Sequence, residues 1–147
     1  MNRSKFLSFP VSLIVVCAGL AAGNCSKTAD QSAQLQRGSI VKLLDAYIGG
    51  YTTGDYANVR FAADVRFEGP LTNGRILGKA AVQKFVSSVR AKDVRVKRQI
   101  IDGHVACVLA DFETAEGIVV PFCEFFRIEN GEITEIRPYF DPRPLIR

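Results

Sequence analysis

The stretch Gly117–Ile133, GIVVPFCEFFRIENGEI, decides the fold. Successive side chains of a strand point to opposite faces, so Ile118, Val120, Phe122, Glu124, Phe126 and Ile128 fall on one side. Five are large and apolar, and the sixth is a carboxylic acid. Asn130-Gly131 ends the run with a strong hairpin signal, because a type I′ turn needs positive φ at both central residues. Glu132–Phe140 then reads as the returning strand. Working upstream, Glu116-Gly117 is a weaker turn and Asp102-Gly103 a second strong one. They separate His104–Thr114 from the strands on either side and leave Arg95–Ile101 as the first member. Four consecutive antiparallel strands result.

Before Arg95 the period is helical. Ile40, Leu43, Leu44, Tyr47, Ile48 and Tyr51 form one apolar stripe that ends near Gly54. Asp55–Phe61 reads as a second, short helix capped by Thr53 or Asp55. Val65 and Phe67 alternate with Arg66 and Glu68 as in a half-buried strand, which Gly69-Pro70 breaks. Thr72-Asn73-Gly74 is a turn. Ala81, Val82, Phe85, Val86 and Val89 then mark a third helix. Helices early and a meander late predict an α+β fold, a bent, mostly antiparallel sheet closed on one side by helices.

The 147 residues suit one domain, and 48% apolar with 23% charged residues is a globular composition. Residues 1–23 read as a signal peptide: Arg3 and Lys5, an apolar run Val11–Ala22, then Ala21 and Gly23 before a cut. That run is shorter than the roughly 20 apolar residues of a spanning helix, so no stable membrane insertion of the mature chain is expected. Residues 24–36 read as a polar tether and 37–147 as the domain. The net charge of +4, less Arg3 and Lys5, leaves +2, too small a surplus for binding nucleic acid by phosphate neutralisation. Four cysteines without paired C-x-x-C spacing and a single histidine argue against zinc. Removing the signal leaves Cys25, Cys107 and Cys123. The last two read either as a bridge between neighbouring strands or as two small buried hydrophobes.

The order of elements and several local pieces resemble the SnoaL-like branch of the nuclear-transport-factor-like superfamily. The pieces are Tyr47, Gly54-Asp55, the run Asp64–Leu71, Gly78, Phe126-Arg127-Ile128, Asn130-Gly131-Glu132-Ile133 and Arg137-Pro138-Tyr139-Phe140-Asp141. The resemblance implies a cone: a curved sheet wrapped around a long N-terminal helix, with two further helices and a pocket at the open end. Relatives include ketosteroid isomerase, limonene epoxide hydrolase, polyketide cyclases and non-catalytic domains, so the fold leaves activity open. The isomerase's base falls on Gly69, which has no carboxyl. Its oxyanion-hole tyrosine falls on Tyr47, and its protonated acid falls on Glu124 or, in a second register, on Cys123. Of the epoxide hydrolase set only Asp111 matches. Leu109, Pro138, Phe67 and Gly69 stand at the other four positions.

Three residues are candidates for chemistry. Glu124 on an apolar wall would have its pKa raised and, as a neutral acid, could join the Tyr47 hydroxyl in binding a carbonyl or enolate oxygen. Alternatively it pairs with an arginine such as Arg127 and only holds the sheet. Asp111 shares a strand face with Val105, Cys107, Leu109 and Glu113. The resemblance turns that face toward the pocket mouth, where Asp111 would be a base or an anchor, or else a solvated rim acid. Tyr47 is a pocket hydroxyl or a core tyrosine. His104 reads as a solvated hairpin residue, and the basic run Arg90, Lys92, Arg95, Lys97, Arg98 as the charged guard of an edge strand. The leading functional expectation is an exported domain binding a small hydrophobic molecule, with Tyr47, Phe67, Phe122, Phe126 and Asp111 in the lining and no cofactor. The rivals are a cofactor-free isomerase or cyclase using Tyr47, Glu124 and Asp111, and a non-catalytic module. A homodimer through the outer sheet face is expected from the resemblance.

Overall fold

A computed structural model describes residues 22–146, with side chains from residue 31 onward. Most of the expected signal peptide therefore lies outside the described residues. The first element, α1, is a helix over Ala22–Thr53. It includes the segment read as a tether, so that segment is helical in the structure, and its side chains from 31 to 39 are exposed. The apolar stripe from Ile40 to Tyr51 is buried. Gly54 ends the helix at φ 76°, its N–H donating to the Gly50 carbonyl at 2.7 Å. A left-handed residue there costs glycine nothing.

The short helix expected at Asp55–Phe61 is instead a turn. Asp55 Oδ1 accepts the Ala57 N–H at 2.8 Å, and the Val59 N–H reaches the Tyr56 carbonyl at 3.0 Å. The aspartate side chain competes successfully for a backbone donor that a helix would need. Strand β1 (Phe61–Phe67), a two-residue β2 (Ile76–Leu77) and helix α2 (Lys79–Ser88) follow. Four strands complete the domain: β3 (Asp93–Asp102), β4 (Val105–Glu113), β5 (Val119–Glu129) and β6 (Glu132–Phe140). They match the four expected strands to within two residues at each end.

The six strands lie in the order β2-β1-β6-β5-β4-β3, antiparallel except for the parallel pair β1 and β6. Bulges in the β3–β4 and β5–β6 pairings bend the sheet around α1. The predicted α+β class, with its long N-terminal helix and curved sheet, is the observed one. Asn130 and Gly131, at φ 52° and 74°, make the expected type I′ hairpin. The β3–β4 turn differs. Asp102 pairs with Val105, so Gly103 and His104 form the loop and only Gly103 is left-handed.

Register fixes which residues face the helix. Glu124 pairs with Val108 on one side and Pro138 on the other, and Phe126 pairs with Ala106 and Ile136. Even-numbered residues of β4 and β5 thus line the inner face. Ala106 and Ala110 are small there, which leaves room for the tyrosines of α1.

Candidate functional site

Glu124 is fully buried at the centre of that inner face. Among the described residues it has no arginine partner: Arg127 Nε lies on the outer face, 3.3 Å from Glu135 Oε2. Glu124 Oε1 instead accepts hydrogen bonds from the hydroxyls of Tyr51 at 2.9 Å and Tyr47 at 3.1 Å. The two hydroxyls are themselves 3.1 Å apart. Residues four apart on α1 share a face, so both phenols reach one carboxyl oxygen. Oε2 of Glu124 and the Tyr56 hydroxyl are buried without a hydrogen-bond partner among the described residues.

Burial pushes the Glu124 carboxyl up to about 7, against the lowering effect of the Tyr51 and Tyr47 hydrogen bonds. Burial, and then the nearby Glu124 charge, hold Tyr47 and Tyr51 well above the usual phenol range. Both phenols are therefore neutral donors at physiological pH. Tyr47 is clamped by edge-to-face contacts with Phe126, Tyr51, Tyr56 and Phe61 at ring separations of 5.0 to 6.2 Å.

Beside this network is a cavity of about 70 Å3. Its walls include Phe67, Phe85, Phe112, Val120, Phe122 and Phe140, together with Gly69, Pro70, Leu71 and Leu145. Tyr51 supplies the phenol in that wall. Its ring packs edge-to-face on Phe112 and Phe122 at 5.8 and 6.3 Å. Tyr51 thus joins the cavity to Glu124.

Phe67 and Phe122 stand in the cavity wall. Tyr47, Glu124 and Phe126 lie beneath it, fully buried in the core, and do not form its wall. Asp111 does not reach it. On β4 it is an odd-numbered residue, opposite Pro121 and Arg95 on the outer face, and Lys97 Nζ lies 2.7 Å from its Oδ1. The inward position next to it is Ala110, so the reading of Asp111 as a pocket base is corrected by one residue of register. Tyr51 is the site residue the sequence reading missed. Its signal was present, since it follows Tyr47 by one helical turn on the same stripe.

His104 is exposed in the hairpin, as expected. The basic run belongs to the outer edge of the sheet, where Lys92 and Lys97 each lie 2.7 Å from a carboxylate, on Glu113 and Asp111 respectively. Among the described residues no helix is long and apolar enough to cross a membrane.

Solved structures share this architecture. An NTF2-like protein of unknown function from Cytophaga hutchinsonii superposes with a TM-score of 0.61 at 25% identity, covering 71% of this chain and 92% of its own. A de novo designed protein with a curved β-sheet gives 0.65 at 25% identity, over 73% of this chain and 88% of the other. An LEH-like epoxide hydrolase from M. tuberculosis gives 0.59 at 18% identity, over 71% and 84%. These likenesses show the nuclear-transport-factor-like fold. A family model matches residues 35–147, and the chain belongs to that family, described as a domain of unknown function (DUF4904). The curated proteins contain no match.

Proposed function

We propose that the chain is an exported binding domain for a small, uncharged, largely apolar molecule, held against the aromatic wall and hydrogen-bonded by the Tyr51 hydroxyl. The observation that carries the reading is the cavity itself, with phenylalanines, prolines and aliphatic groups around one phenol. Such a site repels ions and rewards a ligand that brings apolar surface and one hydrogen-bond donor for the Tyr51 oxygen, whose own proton goes to Glu124. Its volume of about 70 Å3 is under half that of an engineered cavity of about 150 Å3 that holds benzene. A larger ligand therefore requires the wall residues to move apart.

An acid–base enzyme is the second reading, favoured by the Tyr47–Tyr51–Glu124 network and the raised Glu124 pKa. The donors for an oxyanion exist, but Glu124 and Tyr47 are sealed below the cavity. Neither family position supplies a base: Gly69 has no carboxyl, and Asp111 faces outward. At two further positions of the epoxide hydrolase set the cavity wall carries Phe67 and Pro138, which cannot activate water. Binding is the better supported of the two.

Native mass spectrometry of protein purified from its own host tests the proposal. A retained apolar molecule is expected in the wild type and not in Val120→Phe, which fills the cavity. Wild-type protein that is always empty and ignores apolar probe dyes would overturn it. Export, supported by the N-terminal sequence pattern, predicts a mature N-terminus near Asn24 in the exported fraction. The homodimer, suggested by the resemblance, predicts twice the chain mass in sedimentation.

A further inference from the structure

Cys107 and Cys123 are free cysteines, and both are half-buried. Cys107 stands opposite Phe125, and Cys123 opposite Leu109, so the two are diagonal neighbours on β4 and β5. Ala106, Val108, Phe122 and Glu124 take the inward positions on these strands, and both cysteines therefore project from the outer face of the sheet. The Cys107 thiol is close enough to raise the Cys123 pKa.

We propose that Cys107 and Cys123 are a redox-responsive dithiol that closes into a cross-strand disulfide. The oxidant is a low-molecular-weight disulfide, RSSR. One cysteine thiolate attacks a sulfur of RSSR, breaking its S–S bond and releasing RS−, which takes up a proton. The other cysteine, as thiolate, attacks the resulting mixed disulfide at the protein sulfur and expels the second RS−. Two protein thiols are oxidised to one disulfide, and RSSR is reduced to two RSH.

Geometry makes this bridge reversible. Diagonal residues of an antiparallel pair stand about 7–8 Å apart at Cα, just outside the usual disulfide span of about 4.4–6.8 Å. Closure needs a small shear of β4 against β5, and a bond made under such strain is easily reduced. The shear falls on the strand pair that carries Val108 opposite Glu124. Burial, and then the neighbouring Cys107, push the Cys123 thiol up. Closure should therefore speed up as the solution is made more alkaline, since the thiolate is the attacking form.

The test is peptide mass mapping of the full chain after treatment with oxidised glutathione, with circular dichroism confirming the fold. The expected product is a linked pair of peptides containing Cys107 and Cys123, about 2 Da lighter than the two free peptides and restored by dithiothreitol. In Cys107→Ser and Cys123→Ser the remaining cysteine should hold a stable glutathione adduct instead. The proposal is overturned if folded wild type keeps two alkylatable thiols, or carries separate adducts at both positions. It is equally overturned if either cysteine links to Cys25 or to a second chain.

Discussion

The Tyr51 hydroxyl lies 2.9 Å from Glu124 Oε1, while the ring that carries it forms part of the cavity wall. One side chain is thus shared between an apolar hollow and a buried acid. Tyr47, one helical turn earlier, holds the same carboxyl oxygen from below at 3.1 Å. Of these two donors only Tyr51 lines the cavity, so a change of charge on Glu124 reaches the cavity wall through Tyr51.

The titration of Glu124 should appear in the stability of the domain. Its carboxyl titrates near 4.5 when unperturbed and at about 7 in the fold, with burial as the main cause. Between those values the folded chain binds the extra proton. The acid's favourable contribution is therefore complete below pH 4.5 and is lost as pH rises through about 7. Glu124→Gln removes this dependence. Urea titrations should show wild type losing about 2–3 kcal/mol relative to the variant between pH 5 and 8. A difference that stays constant with pH would show that the acid does not titrate in this range.

Tyr51→Phe deletes the hydroxyl and keeps the ring. One of the two donors to Glu124 Oε1 disappears, which should cost about 1–2 kcal/mol. The Tyr51 hydrogen bond lowers the Glu124 pKa, so its loss should move the pH transition of stability upward. Carboxyl carbon NMR of labelled glutamate would follow that shift directly. The same variant should weaken a ligand that uses the phenol while leaving purely apolar probes bound.

The parts of this site differed in how clearly the sequence displayed them. On β5, apolar residues on one face and mixed ones on the other placed Glu124 inward correctly. The stripe on α1 placed Tyr47. On β4 both faces are apolar: Val105, Cys107 and Leu109 on one side, Ala106, Val108 and Ala110 on the other. Alternation therefore does not say which side faces the helix, and the resemblance alone turns Asp111 toward the pocket, the wrong way. Only pairing with β5 resolves it, since Val108 opposite Glu124 forces the even residues inward. The turn at Asp55–Val59 escaped for a different reason. Its side-chain-to-backbone bond at Ala57 outcompetes a helix that spacing alone permits.

The placement of Asp111 has its own test. Its partner Lys97 is largely solvent-exposed, so Asp111→Asn should change stability by less than about 1 kcal/mol. Binding of an apolar probe should be unchanged. A large loss of binding in that variant, measured by dye titration, would return Asp111 to the pocket and overturn the assignment of the β4 faces.

Two adjacent glycines on α1 should respond in opposite directions to the same substitution. Within a helix, alanine for glycine ordinarily stabilises by about 0.5–1 kcal/mol. Gly49 is exposed and a Cβ there meets nothing within 4 Å, so Gly49→Ala should show that gain. At Gly50 the added carbon would lie 2.5 Å from Cε1 and Cζ of Tyr56. That ring is buried and packs against Tyr47, Tyr51 and Phe61, so it cannot swing aside without disturbing the aromatic cluster above Glu124. Overpacking of this kind costs about 1–3 kcal/mol, more than the helical gain. Thermal unfolding should therefore place Gly49→Ala above wild type and Gly50→Ala below it. If both rise together, the ring of Tyr56 is free to move, and the rigid clamp around Tyr47 inferred from these contacts does not exist.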